Sequence, residues 1–174
     1  MAKFETVFLA GFFDYLHKGH LGALNRLKDI DAEKIVVFVG PDERLKRLKN
    51  VTNSQPLPER IRRVEHALKK LGLGKKASVV VSETWPPKQA VNAGKRDVML
   101  VYRVSKEQPA YIQRDMASIN LARKKLGLKP LKFIVKKAPE FGVYSTLIRN
   151  GLKKGKSPRQ VAGSVRRNRR NALK

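Results

Sequence analysis

The chain has 174 residues, 41% of them apolar, enough for one α/β domain with room for a tail, and no apolar run approaches the length of a membrane span. It contains no cysteine, which excludes disulfides, thiolate metal sites and cysteine nucleophiles. Thirty-nine Lys and Arg against fourteen Asp and Glu give a net charge of +25, a field that favours nucleic acid or another polyanion as partner.

The first element is an apolar run at residues 7–10, a buried strand that stops at Gly11. It follows Met1 so closely that no secretory signal is expected, and a cytoplasmic location is. A helix is expected from about Lys18, with Leu21, Leu24 and Leu27 on its inner face. His17 and His20 then share one face of its first turn, beside backbone N–H groups that lack helical partners. Such a place attracts anions, and imidazoles can add donors to it. A lone histidine there is ordinarily a surface residue. The pair His17-Lys18-Gly19-His20 directly after a strand points instead to phosphate chemistry. Asp14 reads as a structural cap of the turn, with placement of Mg²⁺ as its alternative role.

Further strands are expected at residues 35–39, 79–81, 98–101 and 133–135. After the second come the turn Gly40-Pro41-Asp42, a basic segment with Arg44, Lys46, Arg47 and Lys49, and a polar loop over 50–55. Pro58 suits the first position of a helix whose stripe is Ile61, Val64, Leu68 and Leu71, with Gly72 as its stop. Residues 83–96 connect the third and fourth strands. Within them Trp85 fits a core lid, a stacking surface or a subunit contact. A long helix is expected over 109–126, with Ile112, Met116 and Ile119 inward and Gly127 closing it. Alternating strands and helices imply a parallel sheet with helices on both faces and right-handed crossovers. Ligands of such sheets bind beyond the carboxyl ends of the strands, where His17 and His20 fall.

After the last strand, Ser145 and Thr146 can cap a helix and offer hydroxyls to phosphate, and Arg149 one turn on can reach the same oxygens. Alone, this is an ordinary cap followed by a surface arginine. Residues 148–174 hold ten bases and no acid, leaving +15 on residues 1–147. Domain boundaries are set at 1–155 for the folded unit and 156–174 for a basic extension. Ser157 and Pro158 can start a helix there. Arg159, Arg166, Arg167, Arg169 and Arg170, unrelieved by acids, are expected to bind RNA phosphates without sequence preference.

The stretch Gly11-Phe12-Phe13-Asp14-Tyr15-Leu16-His17-Lys18-Gly19-His20 resembles the first motif of the nucleotidyltransferase superfamily of adenylyl- and cytidylyltransferases. The run from Ile119 through Asn120, Arg123, Gly127-Leu128 and Pro130-Leu131 resembles the archaeal-type phosphopantetheine adenylyltransferases, and Ser145-Thr146-Leu147-Ile148-Arg149 resembles the family's Ser-Ser-Thr-x-Ile-Arg motif. The resemblance implies a Rossmann-like nucleotidyltransferase fold of class α/β, a five-stranded parallel sheet with helices on both faces and a basic C-terminal tail. It implies transfer of AMP from ATP to a phosphate acceptor, 4′-phosphopantetheine in coenzyme A biosynthesis, with release of pyrophosphate and no covalent intermediate. His17 and His20 would hold the α-phosphate, and Ser145, Thr146 and Arg149 the leaving pyrophosphate. Gly11, Phe12 and Gly19 would border the nucleotide, Arg103 is a further phosphate contact, and Lys46 or Lys49 would bind the acceptor phosphate. Mg²⁺ would be carried by the nucleotide, with no metal held by the protein alone.

Two positions depart from the pattern, since Phe12 and Tyr144 stand where small hydroxyl residues are usual. Either the ligand differs from that of the known branch, or the pocket is partly filled and catalysis has lapsed. The competing reading is therefore a nucleotidyltransferase-like scaffold that binds RNA or the ribosome through its basic tail and body. Membrane insertion has no support in the sequence.

Overall fold

The structure, a computed structural model, describes residues 2–49, 53–103, 110–137, 145–157 and 160, with the backbone alone at 49, 103 and 145–147. Five strands, β1 (Phe4–Gly11), β2 (Ala32–Val39), β3 (Ala77–Val81), β4 (Val98–Arg103) and β5 (Lys132–Lys137), form one sheet in the order β3-β2-β1-β4-β5. Every neighbouring pair is parallel, with Val7 opposite Ile35, Phe8 opposite Met99 and Leu100 opposite Ile134. The strands run past the apolar stretches expected from the sequence, because an apolar run marks only the buried part of a strand. The strand order reverses between β1 and β4, and a crevice opens there beyond their carboxyl ends.

Period-two alternation sends side chains to two separate cores. Val7, Leu9, Ile35 and Val37 pack against α1 (Lys18–Asn25), a 3₁₀ turn (Arg26–Asp29) and α3 (Leu57–Lys70), which supply Leu24, Leu27, Val64 and Leu68. Phe8, Phe38, Met99 and Val101 face the other way, toward a short α4 (Lys88–Val91) and α5 (Ala110–Lys125), which supply Ala90 and Ile119. Phe8 and Phe38 stack with centroids 5.6 Å apart. The basic segment after β2 is a helix, α2 (Asp42–Lys49), whose acidic first turn complements its dipole. Pro56 precedes α3, so Pro58 falls one place later than expected. No helix among the described residues is long and apolar enough to cross a membrane.

The helix ends explain the pattern around Asn120 and Arg123. Arg123 is buried and donates to the carbonyls of Lys129 (2.7 Å), Val91 (2.7 Å) and Ala93 (2.9 Å), while Asn120 Oδ1 accepts from the amide of Leu131 (2.8 Å). These residues tie α5 to α4 and β5 and stand away from the crevice. A further helix, α6 (Ser145–Lys153), starts at the expected Ser145 and closes at Gly155. Ser157 Oγ then accepts from the Gln160 amide (3.3 Å) while Gln160 Oε1 accepts from the Ser157 amide (2.7 Å), a reciprocal cap that fits the expected helix start. Arg159, Arg166, Arg167, Arg169 and Arg170 lie outside the described residues, as does Tyr144.

Candidate active site

β1 delivers the chain to the crevice, and the turn after it is strained and tightly held. Phe13 and Tyr15 both have left-handed backbones, with φ of 52° and 45°, a conformation that costs a residue bearing a Cβ about 1–2 kcal/mol. Contacts over-determine it. Phe13 is buried in the core against Gly11. The Tyr15 amide donates to Gln55 Oε1 and its hydroxyl to the Asn53 carbonyl, each at 2.9 Å.

Two ionic clamps fix the same turn. Asp14, 1% exposed, accepts the Gln55 amide on Oδ1 (2.9 Å) and forms an ion pair through Oδ2 with Arg149, 5% exposed, on α6. Arg60, 0% exposed, donates to the carbonyls of Phe12 (2.7 Å), Gly40 (2.9 Å) and Gln55 (3.0 Å) and pairs with Asp42. One guanidinium thus ties the ends of β1 and β2 to the start of α2.

The turn places His17 as the N-cap of α1, its Nδ1 accepting from the Gly19 amide at 3.1 Å. An accepting Nδ1 puts the proton of the neutral ring on Nε2. The His17 and His20 rings stack, with centroids 3.9 Å apart and planes 23° apart, and Phe13 lies 5.3 Å from His20. His20 is half-buried as a residue, but its Nδ1 is shut off from solvent and has no hydrogen-bond partner among the described residues. Burial lowers the pKa of His17 to about 4, and burial with His17 alongside lowers that of His20 to about 3. Both rings are neutral at pH 7. An anion at the pair would reverse this, because a negative charge favours imidazolium.

The crevice holds a cavity of ≈ 550 Å³, within the range of small-molecule sites. His17, His20, Gly11, Phe12, Gly19 and Arg149, all expected from the sequence, lie in its wall. The Phe12 ring rests on Gly40, where an added Cβ would come within 2.5 Å of it, and the cavity stays open beside it. Lys46 is exposed and outside the wall. Of Lys49, Arg103, Ser145 and Thr146 the structure shows only backbone positions, at the end of α2, the end of β4 and the start of α6.

Three wall residues were not singled out as site residues. Arg44 lies over the Trp85 ring, 4.4 Å from its centroid, and donates from one guanidinium nitrogen to both carboxylate oxygens of Asp115 on α5, at 2.8 and 3.0 Å. Trp85 Nε1 donates to Ser118 Oγ at 3.1 Å, and its ring lines the cavity beside Arg44. Burial raises the Asp115 pKa, and Arg44 opposes the rise. Arg44 stood in the basic run, yet nothing local distinguishes it from Lys46. The inner wall is apolar, with Met99, Val101, Met116 and Ile119.

The model of the cytidylyltransferase-like family matches residues 8–151, most of the chain and both motifs. The chain belongs to that family. With it this chain joins the nucleotidyltransferases, whose substrates are nucleoside triphosphates. No curated protein matches the chain. Among solved structures it is similar to a protein of unknown function from Archaeoglobus fulgidus, with a TM-score of 0.58 and 20% identity over 75% of this chain and 88% of that one. A lipopolysaccharide core biosynthesis protein from Thermoplasma volcanium aligns with a TM-score of 0.54 and 20% identity over 79% and 99%. A bifunctional NMN adenylyltransferase/ADP ribose pyrophosphatase from Francisella tularensis aligns with a TM-score of 0.55 and 15% identity over 90% of this chain and 44% of that one. At these identities the likeness shows the shared fold alone.

Proposed function

We propose that this cytidylyltransferase-like chain transfers AMP from ATP to a phosphate-bearing acceptor, with 4′-phosphopantetheine as the acceptor. The observation that carries the reading is the stacked, neutral His17–His20 pair at the head of α1, where strand order reverses and the cavity opens. An oxygen of the acceptor phosphate attacks the α-phosphorus, its bond to the β-phosphate bridging oxygen breaks, and pyrophosphate leaves. The acceptor phosphate is already ionised at neutral pH, so no general base is needed. Positioning and charge neutralisation carry the rate.

Neutral imidazoles suit that task. His17 Nε2–H and the amides of the first turn of α1 can donate to the α-phosphate, whose negative charge would draw a proton onto the rings as it builds. Arg149, held in place by Asp14, would meet the outer phosphates beside Ser145 and Thr146. Of the bases on α2, Arg44 faces the cavity, and an acceptor phosphate would compete with Asp115 for it. The apolar inner wall suits an arm with few charges, as pantetheine has. Mg²⁺ would arrive on the triphosphate. Asp14 already has both oxygens engaged, and no three His, Asp or Glu side chains among the described residues converge on a metal position.

The test is pyrophosphate release with ATP or CTP and 4′-phosphopantetheine, on wild type and His20→Gln. Loss of one transition-state contact costs about 3 kcal/mol, so turnover should fall roughly a hundredfold. Release with CTP and a different acceptor phosphate would replace the acceptor reading. No nucleotide binding by calorimetry in either protein would overturn the enzyme reading in favour of a lapsed scaffold.

A further inference from the structure

The end of the sheet opposite the cavity carries a repeated feature. At its amino-terminal edge α3 and α5 stop with one recipe, Lys69-Lys70-Leu71-Gly72-Leu73 and Lys124-Lys125-Leu126-Gly127-Leu128. The geometry repeats as well. Gly72 and Gly127 have φ of 73° and 68°, and the amides of Leu73 and Leu128 reach back to the carbonyls of Leu68 and Arg123, both at 2.9 Å. Each corner feeds an edge strand, β3 or β5, and those two strands stand four interstrand steps apart, roughly 19 Å. They lie on opposite faces, since α3 packs into one core and α5 into the other.

Each corner is a cluster of exposed lysines, Lys69, Lys70 and Lys75 at one and Lys124, Lys125 and Lys129 at the other. None of the six forms an ion pair among the described residues. Three carboxylates at the amino ends of the strands are already engaged. Asp31 accepts the Lys3 amide, Glu33 pairs with Arg96, and Asp97 accepts the amides of Thr6 and Gly94. Lysines in a last helical turn ordinarily offset the helix dipole, which amounts to about half a charge. Two lysines per turn exceed that, and Lys75 and Lys129 lie beyond the helices.

We propose that this end of the sheet, opposite the candidate active site, docks structured RNA through its phosphates. The apolar residues separate this from a membrane surface. Leu126 and Leu128 are exposed at one corner (60% and 39%), but Leu73 at the other is 4% exposed and part of the core, so the lysines lack a common apolar plane. The carbonyls of Leu68, Lys69, Arg123 and Lys124 already accept amides of the same corners, so the lysines alone would meet the phosphates.

The experiment measures binding of the full chain to a labelled RNA hairpin with a stem of about 16 base pairs, across a salt series. The variants are K69A/K70A/K75A, K124A/K125A/K129A and a full-length protein with Arg159, Arg166, Arg167, Arg169 and Arg170 changed to Ala. Each corner variant should flatten the log–log salt slope by about 2–3 and weaken binding roughly tenfold or more at physiological salt. Saturating ATP should leave RNA affinity unchanged, because the two ends are separate. Unaltered binding by both corner variants overturns the proposal. So does complete loss of binding in the tail variant, equal affinity for a DNA hairpin of the same sequence, or capture by phosphatidylserine vesicles with no binding to RNA.

Discussion

The two ends of the sheet solve the same problem, stopping a chain and reversing it, by opposite means. At the amino end the left-handed positions are glycines, Gly72 and Gly127, with nothing within 4 Å of where a Cβ would sit, and the charges stay in water. At the carboxyl end the left-handed positions are Phe13 and Tyr15, and Asp14, Arg60 and Arg149 are buried beside them. The first arrangement is locally relaxed and needs no partner. The second persists only because hydrogen bonds and ion pairs arriving from distant segments hold it, and it is the one that lines a cavity. Strain and buried charge that the rest of the fold must support set the cavity end apart.

The sharpest way to break this contrast is Asp14→Ala. It leaves the Arg149 guanidinium buried without its carboxylate, which should cost about 3–5 kcal/mol in urea unfolding, with the Gln55 amide losing its acceptor too. Next is Gly40→Ala, whose Cβ would meet the Phe12 ring at 2.5 Å and force it to swing. A loss of about 1–3 kcal/mol is expected, together with altered ATP affinity by calorimetry. Adding Phe12→Ala should recover most of the stability. Absence of that recovery would show the clash to be elsewhere.

A third test uses pH. His17 and His20 titrate lower folded, at about 4 and 3, than unfolded, near 6.5, so the unfolded chain binds more protons between these values. Stability is therefore full above about pH 6.5 and lost as pH falls, by up to about 1.4 kcal/mol per pH unit for each ring. The double variant His17→Gln, His20→Gln should lose that part of the slope in denaturation followed from pH 7 to 4. At the amino end, Gly72→Ala or Gly127→Ala should cost only about 1 kcal/mol each and leave turnover intact, because the penalty is local. The smallest effect belongs to K124A/K125A/K129A, expected within about 0.5 kcal/mol of wild type in thermal melts.

Much of the chain was legible because its signals are local. The five strands, the helix stops at Gly72 and Gly127 and the His17–His20 turn each lie within a few consecutive residues. Hydrophobic period and turn chemistry act over that same distance. The position of the histidines at a carboxyl strand end followed from strand–helix alternation. What the sequence left open was the choice among chemically similar residues. Lys46 and Arg44 sit two apart in one basic run, and only the tertiary fold brings Arg44 onto Trp85 and Asp115, the latter 71 positions away.

The same limit explains Arg149 and Arg123. As a sequence, Arg149 is a phosphate-reaching arginine after a cap; in the fold its partner Asp14 lies 135 positions earlier, and the pair is part of the turn that strains Phe13 and Tyr15. Arg123, part of a family-like pattern, spends its hydrogen bonds on backbone carbonyls of α4 and the approach to β5. By itself the sequence determined the class of fold, the strand–turn–helix that carries the histidines and the excess of positive charge. These depend on local periodicity and on counting. Tertiary structure alone decided which charges are buried and paired, which face the cavity, and which gather at the far end of the sheet. A side chain's partner is set by where distant strands and helices converge, and no local signal encodes that convergence.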